Sequence, residues 1–489
     1  MTATDRRPPV LLDALALNRG DPQGIARQVH AAIRAMVLDG TLAAGARLPS
    51  SRALAQAWGV ARNTVTGALD RLTAEGLLTG RRGSGTFVAE VVAPRQARPA
   101  GKSAALSDLS ARGRAGLQEA RLQSPHTHRP LAPDVPALDR FPIDLWHRSI
   151  LRSMRRHRAA LLQGIDRRGF APLRQAIAAH VGPARGVRCE ADQVIILSST
   201  RQAIQIAATM LAEPGDVAAI EEPGYLGARS LLAASGLRLV PMPVDGEGAD
   251  PAGLAAARLI YLTPSHQYPL GVAMSLARRM AALEAAERLG AWIVEDDYDG
   301  EFQIRGHPAP SLHGLSGGGR VIYVGTFSKA MFPAIRLTYL IAPPALAEAF
   351  AAVRVRQDGV TQLHGQAALA DFMESGGFAG HIKRMRGLYA EREEALLRHL
   401  GRRLGDALHL PEPGGGLQLA SRFRHAIDDQ GLVQQLLPEE AAPMPLSRYY
   451  LGAATPGLLI GFANGDPARS ERAIDHLART YESGLWRKG

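Results

Sequence analysis

Lys329 closes the run Gly325-Thr326-Phe327-Ser328-Lys329, and Arg336 follows seven residues later. A lysine amine condenses with aldehydes to form a Schiff base. Small hydroxyl groups and a guanidinium beside it suit a phosphate. The group reads as the anchor of a phosphorylated aldehyde cofactor, with Lys329 as the covalent attachment and Thr326, Ser328 and Arg336 on the phosphate. A bare S-x-K equally describes a solvated lysine after a strand. The longer pattern and its companions upstream separate the two. One companion is Ser198-Ser199-Thr200-Arg201-Gln202, ahead of an apolar helix expected over 203–211. Backbone N–H groups and the dipole at such a helix start face an anion. Further polar groups are Glu222-Pro223-Gly224-Tyr225, the stretch TPSHQYPLG at 263–271, and Glu295-Asp296-Asp297-Tyr298-Asp299.

Each of these groups needs an element to hold it. Short apolar runs at 194–197, 217–221, 259–262, 292–294, 321–324 and 337–341 read as buried strands. From about residue 131 they alternate with helical segments, which marks an α/β domain. The polar groups follow strand ends, where open α/β sheets place ligands.

The first ninety residues follow another pattern. Ile25, Val29, Ile33 and Val37 make one helical stripe over 24–38. Pro49-Ser50-Ser51 starts a second helix with a serine cap, and Leu54, Ala55 and Trp58 face its core. Gly59 ends it. A third helix over 62–75 turns Val65, Leu69 and Leu72 inward and exposes Arg62, Asn63, Thr64 and Thr66 in its first turn. A hairpin follows, with Gly80-Arg81-Arg82-Gly83-Ser84-Gly85 at its tip and Thr86-Phe87-Val88 returning. Two short helices around a glycine turn and a basic hairpin make a winged helix-turn-helix. The exposed helix start suits base edges and phosphates in a major groove. The glycine-rich tip lets Arg81 or Arg82 approach phosphates or the minor groove. A structural or protein-binding winged helix is the alternative.

Of the 489 residues, 46% are apolar and 21% charged, the proportions of a soluble globular chain of two or more domains. No apolar run approaches the roughly 18 residues that span a bilayer, and no signal peptide is evident. The single cysteine, Cys189, excludes an internal disulfide framework and fits a reducing cytoplasm. It lacks a supporting catalytic motif, so a structural or surface role is expected, and no metal site is. The net charge of +11 divides into +4 over residues 1–90, +5 over 91–130 and +2 over the rest. The basic excess near the N-terminus points to a polyanionic partner. Residues 91–130, rich in Arg, Ala, Pro and Gly, read as a basic linker, with a short helical piece at 110–122.

The stretch ARLPSSRALAQAWGVARNTVTGALDRLTAEGLLTGRRGSGTFVAE resembles the DNA-binding domain of GntR-superfamily regulators almost throughout. The resemblance implies that Arg52, Arg62, Asn63 and Thr64 touch DNA, with Arg81, Arg82, Gly83, Gly85 and Thr86 of the wing assisting. Residues 131 to about 465 resemble the large domain of fold-type I aminotransferases, which bind pyridoxal 5'-phosphate (PLP). That resemblance implies that Asp296 pairs with the pyridine nitrogen, Tyr298 bonds the ring oxygen and Tyr225 stacks on the ring. It places Thr200, Arg201, Thr326, Ser328 and Arg336 on the phosphate and Lys329 in the Schiff base. EDDYDGEF, SHQYPLG and FSKAMFPAIR are most like the MocR-type regulators, which join both domains. The chain departs from the aminotransferase pattern in several places. The late strand at 457–462 lacks the arginine that usually holds a substrate carboxylate. Ala132-Pro133-Asp134-Val135 stands where a glycine is frequent, Gly164 where a phosphate-binding tyrosine of the neighbouring subunit commonly sits, Thr338 for a glycine and Arg201 for a glutamine.

The expected organisation is a winged helix over 1–90, a linker over 91–130 and an aminotransferase-like α/β domain over 131–489. The expected function is a cytoplasmic, homodimeric regulator that binds double-stranded promoter DNA and senses PLP or an amine. A working aminotransferase with an appended DNA-binding domain is the rival, and a PLP-binding scaffold without response a third reading. Arg229 and Arg448 are the candidates for a substitute carboxylate anchor.

Overall fold

The computed structural model describes residues 17–21, 24–81, 84–90, 108–110, 113, 114, 116, 117, 129–163, 166–302, 310–359, 361–436, 440–484 and 486. Arg82, Gly83, Gly164 and most of the expected linker, including most of its helical piece, lie outside the described residues. The chain forms two compact units, Met1–Asp108 and Leu109–Gly489. Among the described residues no helix is long and apolar enough to cross a membrane.

In the first unit α1 (Ile25–Leu38) buries Val29 and Ile33, with Ile25 and Val37 packed at the margin. Helix α2 (Ser51–Ala57) starts where Ser50 Oγ accepts the Ala53 N–H at 3.2 Å, satisfying one orphan donor. Gly59, at φ 61°, turns the chain in the left-handed region that L side chains avoid. Helix α3 (Arg62–Ala74) follows and buries Val65, Ala68, Leu69 and Leu72. Enclosing a leucine such as Leu72 stabilises the unit by about 2 kcal/mol. The His30 ring lies 2.7 Å from the Glu75 carboxylate, tying α1 to the end of α3. Strands β1 (Leu78–Arg81) and β2 (Gly85–Val88) pair antiparallel, from Leu78 opposite Val88 to Arg81 opposite Gly85.

The second unit is built on an eight-stranded sheet. Its strands are β3 (Val194–Leu197), β4 (Val217–Glu222), β5 (Arg238–Asp245), β6 (Gly248–Ala249), β7 (Leu259–Leu262), β8 (Trp292–Asp297), β9 (Val321–Thr326) and β10 (Thr338–Ile341). They lie in the order β3-β10-β9-β8-β7-β4-β5-β6. β4, β5, β7, β8 and β9 run parallel, and β10 is antiparallel to both its neighbours. β3, β7 and β10 are buried along their whole length because helices cover both faces, as parallel sheets require. A second, antiparallel sheet has the order β11-β12-β14-β13, formed by β11 (Leu408–His409), β12 (Gln418–Phe423), β13 (Met444–Pro445) and β14 (Gly457–Gly461).

Two boundaries differ by three residues from the sequence-based expectation, and others by one or two. The helix after β3 starts at Thr200 rather than at 203, because Ser199 Oγ caps it by accepting the Gln202 N–H. β8 runs to Asp297 rather than ending at 294. Its three consecutive carboxylates stay in a buried strand because each has partners. Glu295 accepts the Leu312 and His313 N–H groups at 2.9 Å. Asp296 accepts from the Tyr261 hydroxyl, and Asp297 from the Tyr323 hydroxyl and the Arg185 guanidinium.

Candidate cofactor site and nucleic-acid interface

A cavity of about 250 Å³ opens at the ends of β3, β10, β9, β8 and β7. Lys329, Asp296, Tyr298, Tyr225, Thr200, Arg201, Thr326, Ser328 and Arg336 all line it. Residues spread over 137 positions of sequence thus meet on one wall, because the sheet order sets β9 beside both β10 and β8.

One end of the cavity is built for an anion. Thr338 on β10 stands opposite both Leu197 on β3 and Thr326 on β9, so the loops after β3 and β9 converge there. The Thr338 and Thr326 hydroxyls lie 3.1 Å apart, and Thr326 Oγ1 also accepts the Ser328 N–H at 3.3 Å. The threonine that replaces the usual glycine therefore fixes its neighbour. Arg201 and Arg336 have no hydrogen-bond or ion-pair partner among the described residues. Arg336 is held at φ 50°, a conformation that costs a non-glycine residue about 1 kcal/mol and persists where position matters. Two unpaired guanidinium groups, hydroxyls and a helix start make a phosphate cradle.

The middle of the cavity is built for a protonated ring nitrogen. Asp296 Oδ2 accepts from Tyr261 Oη at 2.5 Å, while Asp296 Oδ1 is buried without a partner. Burial pushes the Asp296 carboxyl up to about 7. An orphaned acceptor of this kind calls for a donor, and a ring N–H supplies one. Tyr298 Oη lies 3.1 Å from His266 Nδ1, which is 2.8 Å from Asp299 Oδ2. Burial opposes a charge on His266, but the adjacent Asp299 outweighs it and the pKa is raised. Tyr225 begins the helix Leu226–Ala234, and its ring meets Tyr268 edge-on at 5.5 Å. The residues present fit a phosphorylated pyridine aldehyde.

Lys329 sits in the short helix Phe327–Ala330, directly after β9. Its Nζ donates to Asp134 Oδ1 at 2.8 Å and to the Asp134 carbonyl at 2.9 Å. Asp134 Oδ2 accepts from Tyr268 Oη at 2.8 Å, and the Asp134 N–H donates to Gln418 Oε1 at 2.6 Å. The sequence alone assigns no role to Asp134, Tyr261, His266 or Tyr268. Tyr261 lies inside an apolar strand and reads as core. His266 and Tyr268 belong to the polar stretch 263–271, whose members no spacing distinguishes. Asp134 precedes Lys329 by 195 residues.

β14 is wholly buried, and Leu459 packs with Tyr268, Tyr298 and Tyr449. Arg229 donates to the Tyr450 carbonyl at 3.0 Å. Neither Arg229 nor Arg448 is among the described residues lining the cavity. Cys189 is half-buried, and burial raises its thiol to about 11, which leaves it a poor nucleophile.

In the first unit Arg62 and Asn63 are exposed in the first turn of α3 and Thr64 is partly so. Arg62 Nε lies 3.5 Å from Ser51 Oγ, so α2 steadies it. Thr66 instead donates to the Arg62 carbonyl within its own helix. Arg52 is exposed on α2. Gly85 and Thr86 are on β2, and Arg81 ends β1 opposite Gly85. Exposed Arg47 stands beside this wing. A Cβ on Gly85 would lie 3.2 Å from its guanidinium. Its basic character alone did not single it out among eleven arginines.

The pattern of the gntR family of bacterial regulatory proteins matches residues 25–88, and that of aminotransferase class I and II matches 145–477. The chain is 39% identical over 473 residues to the probable rhizopine catabolism regulatory protein MocR of Rhizobium meliloti, covering 96% of each. It is 33% identical to the HTH-type transcriptional regulator TauR of Rhodobacter capsulatus, covering 91% of each. Among solved structures, it is similar to the α-aminoadipate aminotransferase LysN of Thermus thermophilus, complexed with N-(5'-phosphopyridoxyl)-L-leucine. The TM-score is 0.68 at 26% identity, over 76% of this chain and 97% of that one. With both domain patterns in one chain and a MocR relative matched nearly end to end, the chain belongs to the MocR type of GntR-family regulators, a winged helix-turn-helix joined to a fold-type I aminotransferase domain.

Proposed function

We propose that the protein is a cytoplasmic transcription regulator whose winged helix binds promoter DNA and whose second unit binds PLP and senses PLP itself or an amine. The observation that carries this reading is Asp296 Oδ1, a buried acceptor without a partner, in a cavity that also holds Lys329 and two unpaired arginines. When bound, PLP supplies an aldehyde for amines and a ring that withdraws electrons. Asp296 holds the proton on the ring nitrogen, the Tyr298 hydroxyl faces the ring oxygen, and Arg201, Arg336, Thr200, Thr326 and Ser328 hold the phosphate. Lys329 is the covalent anchor. Arg52, Arg62, Asn63 and Thr64 read DNA, with Arg81, Arg82, Gly83, Gly85 and Thr86 on the backbone or minor groove. An effector changes DNA affinity by its differential affinity for two states of the protein.

A homodimer is part of this reading. Ile143, Leu151 and Met154 lie on one side of the helix Ile143–His157 and are 63%, 41% and 48% exposed. An apolar stripe of this kind on the surface favours a partner. Footprinting upstream of the protein's own gene, with and without PLP and candidate amines, tests the reading. Protection that ignores all of them overturns the sensing part.

The complete cofactor set also favours a second reading, a working aminotransferase with Lys329 moving the substrate proton. Turnover of amino donors against several 2-oxo acids decides between the two.

A further inference from the structure

The cofactor reading leaves the amine undefined, and the surroundings of Lys329 bear on its chemistry. A ligand amine and Lys329 compete for one aldehyde carbon, so the ligand nitrogen must come close to the place of Nζ. That place is 2.8 Å from Asp134 Oδ1. Asp134 is held there firmly. Its other carboxylate oxygen accepts from Tyr268, its N–H donates to Gln418 on β12, and its backbone is fixed at φ 71°. A non-glycine residue kept in the left-handed region is over-determined by its surroundings.

A group attached to the nitrogen-bearing carbon lies about 2.5 Å from the nitrogen by bond geometry. The carbon of an α-carboxylate would therefore lie within about 5 Å of Asp134 Oδ1 and the two charges would repel. Among the described residues lining the cavity, no cation is placed to relieve the conflict. Arg201 and Arg336 belong to the anion end, where β3, β10 and β9 converge. Arg229 is bonded to Tyr450, and on β14 the apolar Leu459 packs against Tyr268 and Tyr298. A hydroxyl or second ammonium in the same position would donate to Asp134 instead.

We propose that Asp134 selects the effector, an amine whose nitrogen-bearing carbon leads to a hydroxyl or a second amine in place of a carboxylate. This rests on the cofactor reading above. The probes are L-alanine, L-alaninol and 1,2-diaminopropane, which differ at that one substituent. Each is titrated into the full-length protein after PLP addition, with the visible spectrum and calorimetric binding as readouts. Alaninol or diaminopropane should half-saturate at a concentration at least about tenfold below alanine. The stronger of the two tells hydroxyl from ammonium. Asp134→Asn should bring the ratio to alanine close to one. Tyr268→Phe, which frees Oδ2 from its donor, should reduce it and serves if the Asp134 variant does not fold. Alanine binding as tightly as the other two, or a ratio unchanged in the variants, overturns the proposal alone. Absence of any visible band on PLP addition overturns the cofactor reading and the proposal with it.

Discussion

Lys329 is one of only four lysines in the chain, and its ammonium is held by Asp134. That pairing keeps a partly buried amine in one position without a covalent partner. Lys329→Ala should therefore abolish the visible band that PLP produces in the wild-type protein. Retention of the band in the variant would place the covalent anchor elsewhere. Asp296 makes a prediction in pH. Glu221, Glu295 and Asp296 are each pushed to about 7 by burial. A carboxyl whose folded pKa is raised binds its proton more tightly folded than unfolded. Its stabilisation is complete below the unfolded value, near 4, and is lost as pH rises through about 7. Between these limits each group lowers stability by about 1 kcal/mol per pH unit. Asp296→Asn should make the cofactor-free protein more stable at pH 8 and flatten this slope, while weakening PLP binding. Thermal midpoints at several pH values check the sign. A variant less stable than wild type at pH 8 would contradict the uncompensated burial of Asp296.

At the scale of elements, the winged helix separates its functions. The inward face of α3 carries the fold, and its first turn carries exposed polar groups. Arg62→Ala or Asn63→Ala should thus weaken specific DNA binding by about 1–3 kcal/mol, the worth of a good base contact. The PLP spectrum should be untouched. Arg81→Ala should weaken binding to all sequences alike and flatten the salt dependence, because a phosphate contact releases counterions irrespective of sequence. Gel shifts over a salt series distinguish the two kinds of change. Unaltered binding in all three variants would mean that another element reads the DNA. In the second unit β8 does similar double service. It crosses the middle of the sheet, and it carries three carboxylates into the interior, two of which, Asp296 and Asp297, keep an oxygen without a hydrogen-bond partner.

At the scale of the whole molecule, the homodimer proposed above would use apolar side chains that a single chain leaves exposed. Ile143, Met154 and Leu162, at 63%, 48% and 79% exposure, are apolar side chains in water. If they are covered by a second copy, Met154→Arg should shift the protein toward monomer in sedimentation, since a charge buried at an interface costs several kcal/mol unless paired. An unchanged dimer would place the interface elsewhere.

How much of this was legible beforehand differs between the two kinds of information. The periodicities at 24–38 and 62–75, the serine at 50 and the glycine at 59 are local, and local patterns decide helices, caps and turns. The positions of Thr200 and Lys329 after their strands were equally readable, because a sheet puts its polar groups after its apolar runs, whereas Asp296 lies inside β8. The sequence by itself therefore determined two fold classes, nine of the residues that line the cavity and the helix that presents Arg62 and Asn63. Three things were decided only by the tertiary structure. That Asp134 meets Lys329 depends on packing between segments 195 positions apart. That Asp296 keeps one bare oxygen depends on Tyr261 reaching only the other from the next strand. That Arg229 does not line the cavity depends on the Tyr450 carbonyl lying within its reach. Chain order records no distances between such groups. Sheet order and side-chain packing set them, and through them the charge that an incoming ligand meets.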